Sequence, residues 1–155
     1  MIVYHPIYDT NHCLIRTLKI LRYLKKDSYE KGRIKIYDYF FLFPCETAHI
    51  SLPRKYSKYK KICTPNRYNK VHDVRNTFLQ LDEAQEMTYR TLVAFGFFET
   101  DLILNGIIKP TGIQIPNGLL ADLTGIEIDY MELVANYFET IQLDDLRRKT
   151  KLIGQ

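Results

Sequence analysis

Between residues 10 and 24 the chain has little choice of local structure. Wound at about 100° per residue, Cys13, Leu14, Thr17, Leu18, Ile20, Leu21 and Leu24 fall within one broad arc. His12, Arg16, Lys19, Arg22 and Lys26 lie round the other side. The pattern predicts an amphipathic helix with a cationic back, opened by Asp9 or Thr10 as the capping residue. Residues 2–8 read as an extended lead-in, because Pro6 holds its predecessor out of helical geometry. A chain of 155 residues with 46% apolar composition can bury a core without staples, and its length favours one domain.

The other segments are less uniform. Residues 34–43 (IKIYDYFFLF) are apolar enough for a buried strand or a buried helix, and periodicity does not arbitrate. Residues 52–70 hold two prolines with Ser, Thr and Asn and read as a loop or a few short turns. Helicity returns over residues 81–95, with Leu81, Ala84, Thr88, Leu92 and Phe95 as the stripe. Asp82, Glu83 and Glu86 sit near the positive end of its dipole, and Gly96 is a left-handed stop from which Phe97 folds back on Leu92. Turn pairs Asn105-Gly106 and Thr111-Gly112 bracket short apolar runs, predicting one or two short strands. A last helix is expected from Asp129, with Glu132 completing a capping box and Tyr130, Val134, Tyr137, Phe138 and Ile141 as its stripe. This order describes an α+β, mostly helical, winged-helix-like single domain over residues 1–155 with a short β-ribbon. A basic loop at about 53–70 is inserted, and a cationic tail closes residues 147–155. A helical bundle with an incidental turn is the alternative.

Charge is sorted along the chain. Residues 1–75 carry 16 Lys+Arg against 6 Asp+Glu, a balance of +10, and residues 76–155 carry 6 against 12, a balance of −6; together they make the net +4. A chain so divided suits a connecting subunit that meets an anionic partner with one part and a cationic or apolar partner with another. Cys13, Cys45 and Cys63 are odd in number and form no CxxC pair, and the N-terminus lacks a charged-then-apolar leader pattern. The expectation is a reduced cytoplasmic protein with cysteines as small buried hydrophobes. No apolar run approaches the roughly 18–20 residues of a membrane span, so no membrane partner is expected.

Few residues suggest catalysis. His5, Asp9 and His12 are of metal-ligating types, but no fourth ligand stands at a familiar spacing and HExxH is absent. They read as a helix cap and backbone partners, with no metal. Cys13 falls on an apolar face where a thiol is inert. No GxSxG elbow, GxGxxG or phosphate-cradling loop occurs, so neither a cofactor nor an enzyme is expected. The strongest local pattern is basic: Arg54, Lys55, Lys58, Lys60, Lys61, Arg67 and Lys70 alternate with Tyr56, Tyr59 and Tyr68. Cations neutralise phosphates and interleaved rings stack on bases. Arg16 and Lys19 on the first helix would extend that surface. Nucleic acid, an acidic protein surface and a merely solvated loop all stay open as readings. Tyr130, Tyr137 and Phe138, with Arg147 and Arg148, are the candidate protein-partner interface.

The segments HPIYDTNHCLIRTLKIL, IKIYDYFFLFP, FLQLDEAQEMTYRTLVAFGFF and LRRKTKL resemble the middle-component family of bacterial ABC-three-component systems. Within it the chain looks similar to the small LmuC-type subunits of Lamassu anti-phage defence operons. The resemblance implies a non-catalytic adaptor in a hetero-oligomer. Its implied partners are an SMC/Rad50-like coiled-coil ATPase, a nuclease-like effector and, through the complex, double-stranded DNA. Where the family pattern leads one to expect a Gly-Leu pair, this chain has Lys151-Leu152. The alternative is a free-standing winged-helix DNA-binding regulator. It requires a base-reading helix, and the helix at 81–95 starts with three acids and carries Arg90 as its one cation.

Overall fold

The ambiguous stretch IKIYDYFFLF is helical, and the fold is built round it. The computed structural model describes residues 9–64, 70–100 and 103–152. Helix α1 spans Thr10–Leu24, β1 Tyr29–Glu30 and α2 Lys31–Leu42. Two 3-10 segments follow, Pro44–His49 and Arg54–Lys61. Then come α3 at Val74–Ala94, a 3-10 turn Ile103–Asn105 and β2 at Ile107–Ile108. Helix α4 covers Gly125–Asn136, a turn covers Phe138–Thr140, and α5 covers Leu143–Thr150. The fold is α+β and mostly helical.

On α2, Ile34, Ile36, Tyr37, Tyr39, Phe40 and Phe41 are all buried. A helix apolar on every side belongs in the interior, and α2 packs against α1, α3, α4 and α5. As a strand the same residues would need neighbouring chains for their backbone groups, whereas a helix satisfies them internally. Each large side chain so buried contributes roughly 1.5–3 kcal/mol.

Helix α1 keeps its expected bounds, and the Asn11 N–H donates to the Asp9 carboxylate at 2.7 Å. Helix α3 begins well before Leu81: the Asn76 N–H donates to Asp73 at 3.0 Å, and Phe78 adds a buried ring ahead of the stripe. Its end is as expected. Gly96 takes φ +80°, the Phe97 N–H donates to the Leu92 carbonyl and the Gly96 N–H to that of Val93, both at 2.9 Å; this is a Schellman stop. Helix α4 starts earlier than Asp129, where Thr124 and Glu127 form the capping box, and it ends before Tyr137.

The ribbon has an unexpected partner. Strand β2 pairs antiparallel with β1, Tyr29 facing Ile108 and Glu30 facing Ile107. It therefore closes the α1–α2 connection. Phe98 also faces Pro110, the Glu99 N–H donates to Lys109, and the Thr111 N–H donates to Phe97. Residues 97–99 are thus held by backbone bonds against residues 109–111. The expectation of three reduced cysteines is corrected: Cys45 and Cys63 are a disulfide pair with Cα atoms 5.0 Å apart, while Cys13 is buried and free. The pair fastens the segment after Arg54–Lys61 to the turn that follows α2.

Candidate partner-binding ridge

Folding undoes part of the charge segregation seen along the chain. Lys35 reaches Asp82 and Glu86 at 2.5 Å each, and Lys31 reaches Glu86 at 3.0 Å. Lys26 pairs with Glu139 at 3.4 Å and Lys19 with Glu127 at 3.9 Å. Burial alone would raise the Glu86 carboxyl, but hydrogen bonds from Lys35 and Lys31 overcome it and hold the group below its ordinary value. Lys19, Lys26, Lys31 and Lys35 thus meet acids from late in the chain.

Arg16 lies in the interior, not on a cationic back. Its Nε–H donates to Asp38 Oδ1 at 2.7 Å and its second amine to Oδ2 at 3.2 Å; Asp38 is fully buried and also accepts from Gln85 at 2.9 Å. This junction ties α1, α2 and α3. The Cys13 thiol lies 3.8 Å from the same carboxylate. Burial first, and the Asp38 charge second, push that thiol up to about 12, which leaves it protonated and inert. Neither Arg16 nor Lys19 is available to extend a basic surface.

The 3-10 segment Arg54–Lys61 is different. In a 3-10 helix side chains three apart eclipse one another, so KYSKYKKI resolves into rows. Tyr56, Tyr59 and Ile62 form the inward row and pack on the core. Lys55, Lys58 and Lys61 form an exposed row, and Arg54 is exposed beside them with Lys60 half-buried. None of these cations makes an ion pair among the described residues, and Lys70 is exposed as well.

The tyrosines are anchors. Tyr56 stacks on Tyr137 with ring centres 4.8 Å apart, its hydroxyl donates to the Asn136 carbonyl, and the Asn136 amide donates to the Tyr59 hydroxyl, both at 3.2 Å. The buried Tyr59 ring is closed to stacking on bases, and Tyr56 is half-buried with one face on Tyr137. Lys149, near the end of α5, sits 6.0 Å from the Tyr137 ring. Tertiary packing thus brings one of the closing cations, Lys149, beside the ridge. Arg67 and Tyr68 lie outside the described residues.

The aromatic interface expected at the C-terminal half is also corrected. Tyr130 and Phe138 are fully buried and Tyr137 nearly so. The Tyr130 hydroxyl donates to the Tyr37 carbonyl at 2.8 Å, and Phe138 stacks on Tyr37. The buried Arg33 donates to the carbonyls of Phe138 at 2.7 Å and Ile141 at 2.9 Å, closing the turn after α4. Arg147 pairs with Asp144 at 3.1 Å, and Arg148 pairs with Asp145. Asp9 is engaged as a cap, His12 is exposed and His5 lies outside the described residues. No group of three His, Cys, Asp or Glu side chains is gathered for a metal among the described residues.

What the geometry offers is a fixed cationic ridge on a scaffold tied together by buried polar pairs. Residues 2–155 match the sequence model of the ABC-three component (ABC-3C) system Middle Component 5 family. The chain belongs to that family. A middle component is one subunit of a multi-component assembly, so its partners include proteins. No curated protein and no solved structure matches it. The position where a Gly-Leu pair was expected proves informative for this middle component, since Lys151 holds φ +60° as the left-handed cap of α5. That backbone suits glycine, and this chain places a lysine there.

The row structure of the ridge was missed at the level of sequence, although a three-residue period of Tyr, Tyr and Ile was there to be found. Nothing local announced Lys149 as its neighbour.

Proposed function

We propose that this middle component is a non-catalytic adaptor joining an SMC/Rad50-like ATPase to a nuclease-like effector in a Lamassu-type anti-phage defence complex. In this reading the ridge meets the negative charge of double-stranded DNA held by the ATPase. The observation that carries it is the row Lys55, Lys58 and Lys61, exposed and without carboxylate partners among the described residues, whereas Lys19, Lys26, Lys31 and Lys35 of the same half are paired. Successive lysines stand roughly 6 Å apart along the segment. A DNA strand carries one charge per roughly 3.4 Å of axis, so each lysine faces about every second phosphate. The rigid seating on Tyr137 lowers the entropy lost on binding. The subunit restrains the effector by geometry, and DNA engagement shifts that equilibrium.

The winged-helix reading belongs here too, supported by the pairing of residues 97–99 with 109–111 beside the helices. Acids on α3 count against its use as a base-reading helix. A cytoplasmic location fits the reading, and no described helix is long and apolar enough to cross a membrane. The Cys45–Cys63 pair pulls the other way, since disulfides are rare in reducing compartments.

The test is the triple variant Lys55→Glu/Lys58→Glu/Lys61→Glu. DNA affinity, read by fluorescence anisotropy across a salt series, should fall and the salt slope should shrink by about 2–3. If DNA affinity and assembly with the ATPase both stay unchanged, the ridge has no part in the function. If assembly fails while DNA affinity holds, the ridge faces an acidic protein surface instead.

A further inference from the structure

A second surface is built with equal care. The end of α1 and residues 110–120 enclose an open groove of about 570 Å³. Its floor is apolar, with Leu18, Leu21, Tyr29, Phe98 and Leu120 all buried. Arg22, Lys25 and Lys26 stand along one wall, and among the described residues no carboxylate lines the groove. Arg22 touches the Ala121 carbonyl at 3.4 Å and Lys26 pairs with Glu139. Lys25 is exposed and makes no ion pair among the described residues.

The opposite wall is the stretch 112–116. Thr111 ties it to the end of α3, its N–H donating to Phe97 at 2.9 Å and its hydroxyl to the Gly96 carbonyl at 2.5 Å. Gly112 opens it at φ +89°, and Gly118, two residues past it, takes +86°, a left-handed backbone that glycine adopts without steric cost. The wall is therefore shaped in advance of any occupant. Among the described residues, the N–H groups of Gln114 and Ile115 make no backbone hydrogen bond. Ile113 on the rim is 56% exposed.

We infer that this groove docks an extended segment of a partner subunit that carries an apolar side chain flanked by carboxylates. The floor takes the apolar anchor, the cationic wall takes the carboxylates, and whichever of the Gln114 and Ile115 N–H groups faces the groove is left to bond a main-chain carbonyl of the segment. Charge complementarity selects an acidic segment over a basic one. None of these residues belongs to the ridge, so the groove can fail while the ridge holds, and the reverse.

The whole chain, labelled with nitrogen-15, is titrated with two synthetic peptides and followed by amide shifts. One has a Leu-Phe core flanked by Asp and Glu; the other has the same core flanked by Lys. The acidic peptide should move the amides of Lys25, Gln114, Ile115 and Leu120. Lys25→Glu and Ile113→Asp, both exposed positions, should each weaken it by about tenfold with the thermal midpoint unchanged. Four outcomes overturn the inference: no shifts at millimolar peptide, shifts confined to residues 54–61, an equal response to the Lys-flanked peptide, or groove shifts that track protein concentration without peptide. The last would mean a second copy as the occupant.

Discussion

Arg16 and Lys58 come from the same cation-rich half of the chain and have opposite fates. Arg16 is sealed against Asp38 at the junction of three helices, and Lys58 stands in solvent with no carboxylate beside it among the described residues. The first has spent its charge holding the fold; the second keeps its charge exposed at the surface. Residue type separates them poorly, because what decides is whether an acid of another element lies within reach. Asp38 comes from α2 and Gln85 from α3, and both meet Arg16 only once the helices pack.

That contrast can be broken at several points. The largest effect is expected at the junction, where Asp38→Ala strands a buried guanidinium and should cost about 3–5 kcal/mol in chemical denaturation. Replacing Arg16 and Asp38 together with Leu should cost less than the Asp38 change alone. An unperturbed Asp38→Ala protein would mean the pair is not the keystone described. Next in size is Lys151→Gly, which relieves a left-handed backbone at a position bearing a side chain and should stabilise by about 1 kcal/mol.

The α2–α3 ion pairs give a smaller, pH-dependent effect. The folded pKa of Glu86 lies below its ordinary 4.5, so its contribution is complete above that pH and is lost as pH falls through the lowered value. Glu86→Gln should flatten the acid limb of the stability profile below pH 4.5, and an unchanged limb would show that Lys31 and Lys35 do not depend on it. Smallest of all, the triple reversal at Lys55, Lys58 and Lys61 should move stability by no more than about 0.5 kcal/mol. A large loss there would make the ridge a structural element like the junction and erase the distinction.

Local signals were legible where a residue's role depends on its chain neighbours. The Asp9 cap, the amphipathic α1 and the stop at Gly96 all follow from spacing and backbone chemistry. Helix starts were read late at α3 and α4, because a cap such as Asp73 or Thr124 sits ahead of the apolar stripe that draws attention. The candidate site was legible in part. The basic residues were found, but the tyrosines between them were read as outward when a 3-10 repeat turns them inward onto Tyr137. Arg16 and Lys19 were read as surface charge because a helical wheel shows only which side a residue faces, not what waits there.

The chain's own order of residues determined the helices with strong periodicity, the abundance of cations at 54–61 and the absence of recognisable catalytic motifs. Tertiary structure alone decided that α2 is a central helix, that β2 pairs with the α1–α2 connection, and which charges are neutralised and which remain. Local structure obeys short-range sterics and hydrogen bonding, which nearby residues encode. Charge pairing obeys distance in space, and Lys35 and Glu86 become neighbours only when α2 and α3 close on each other.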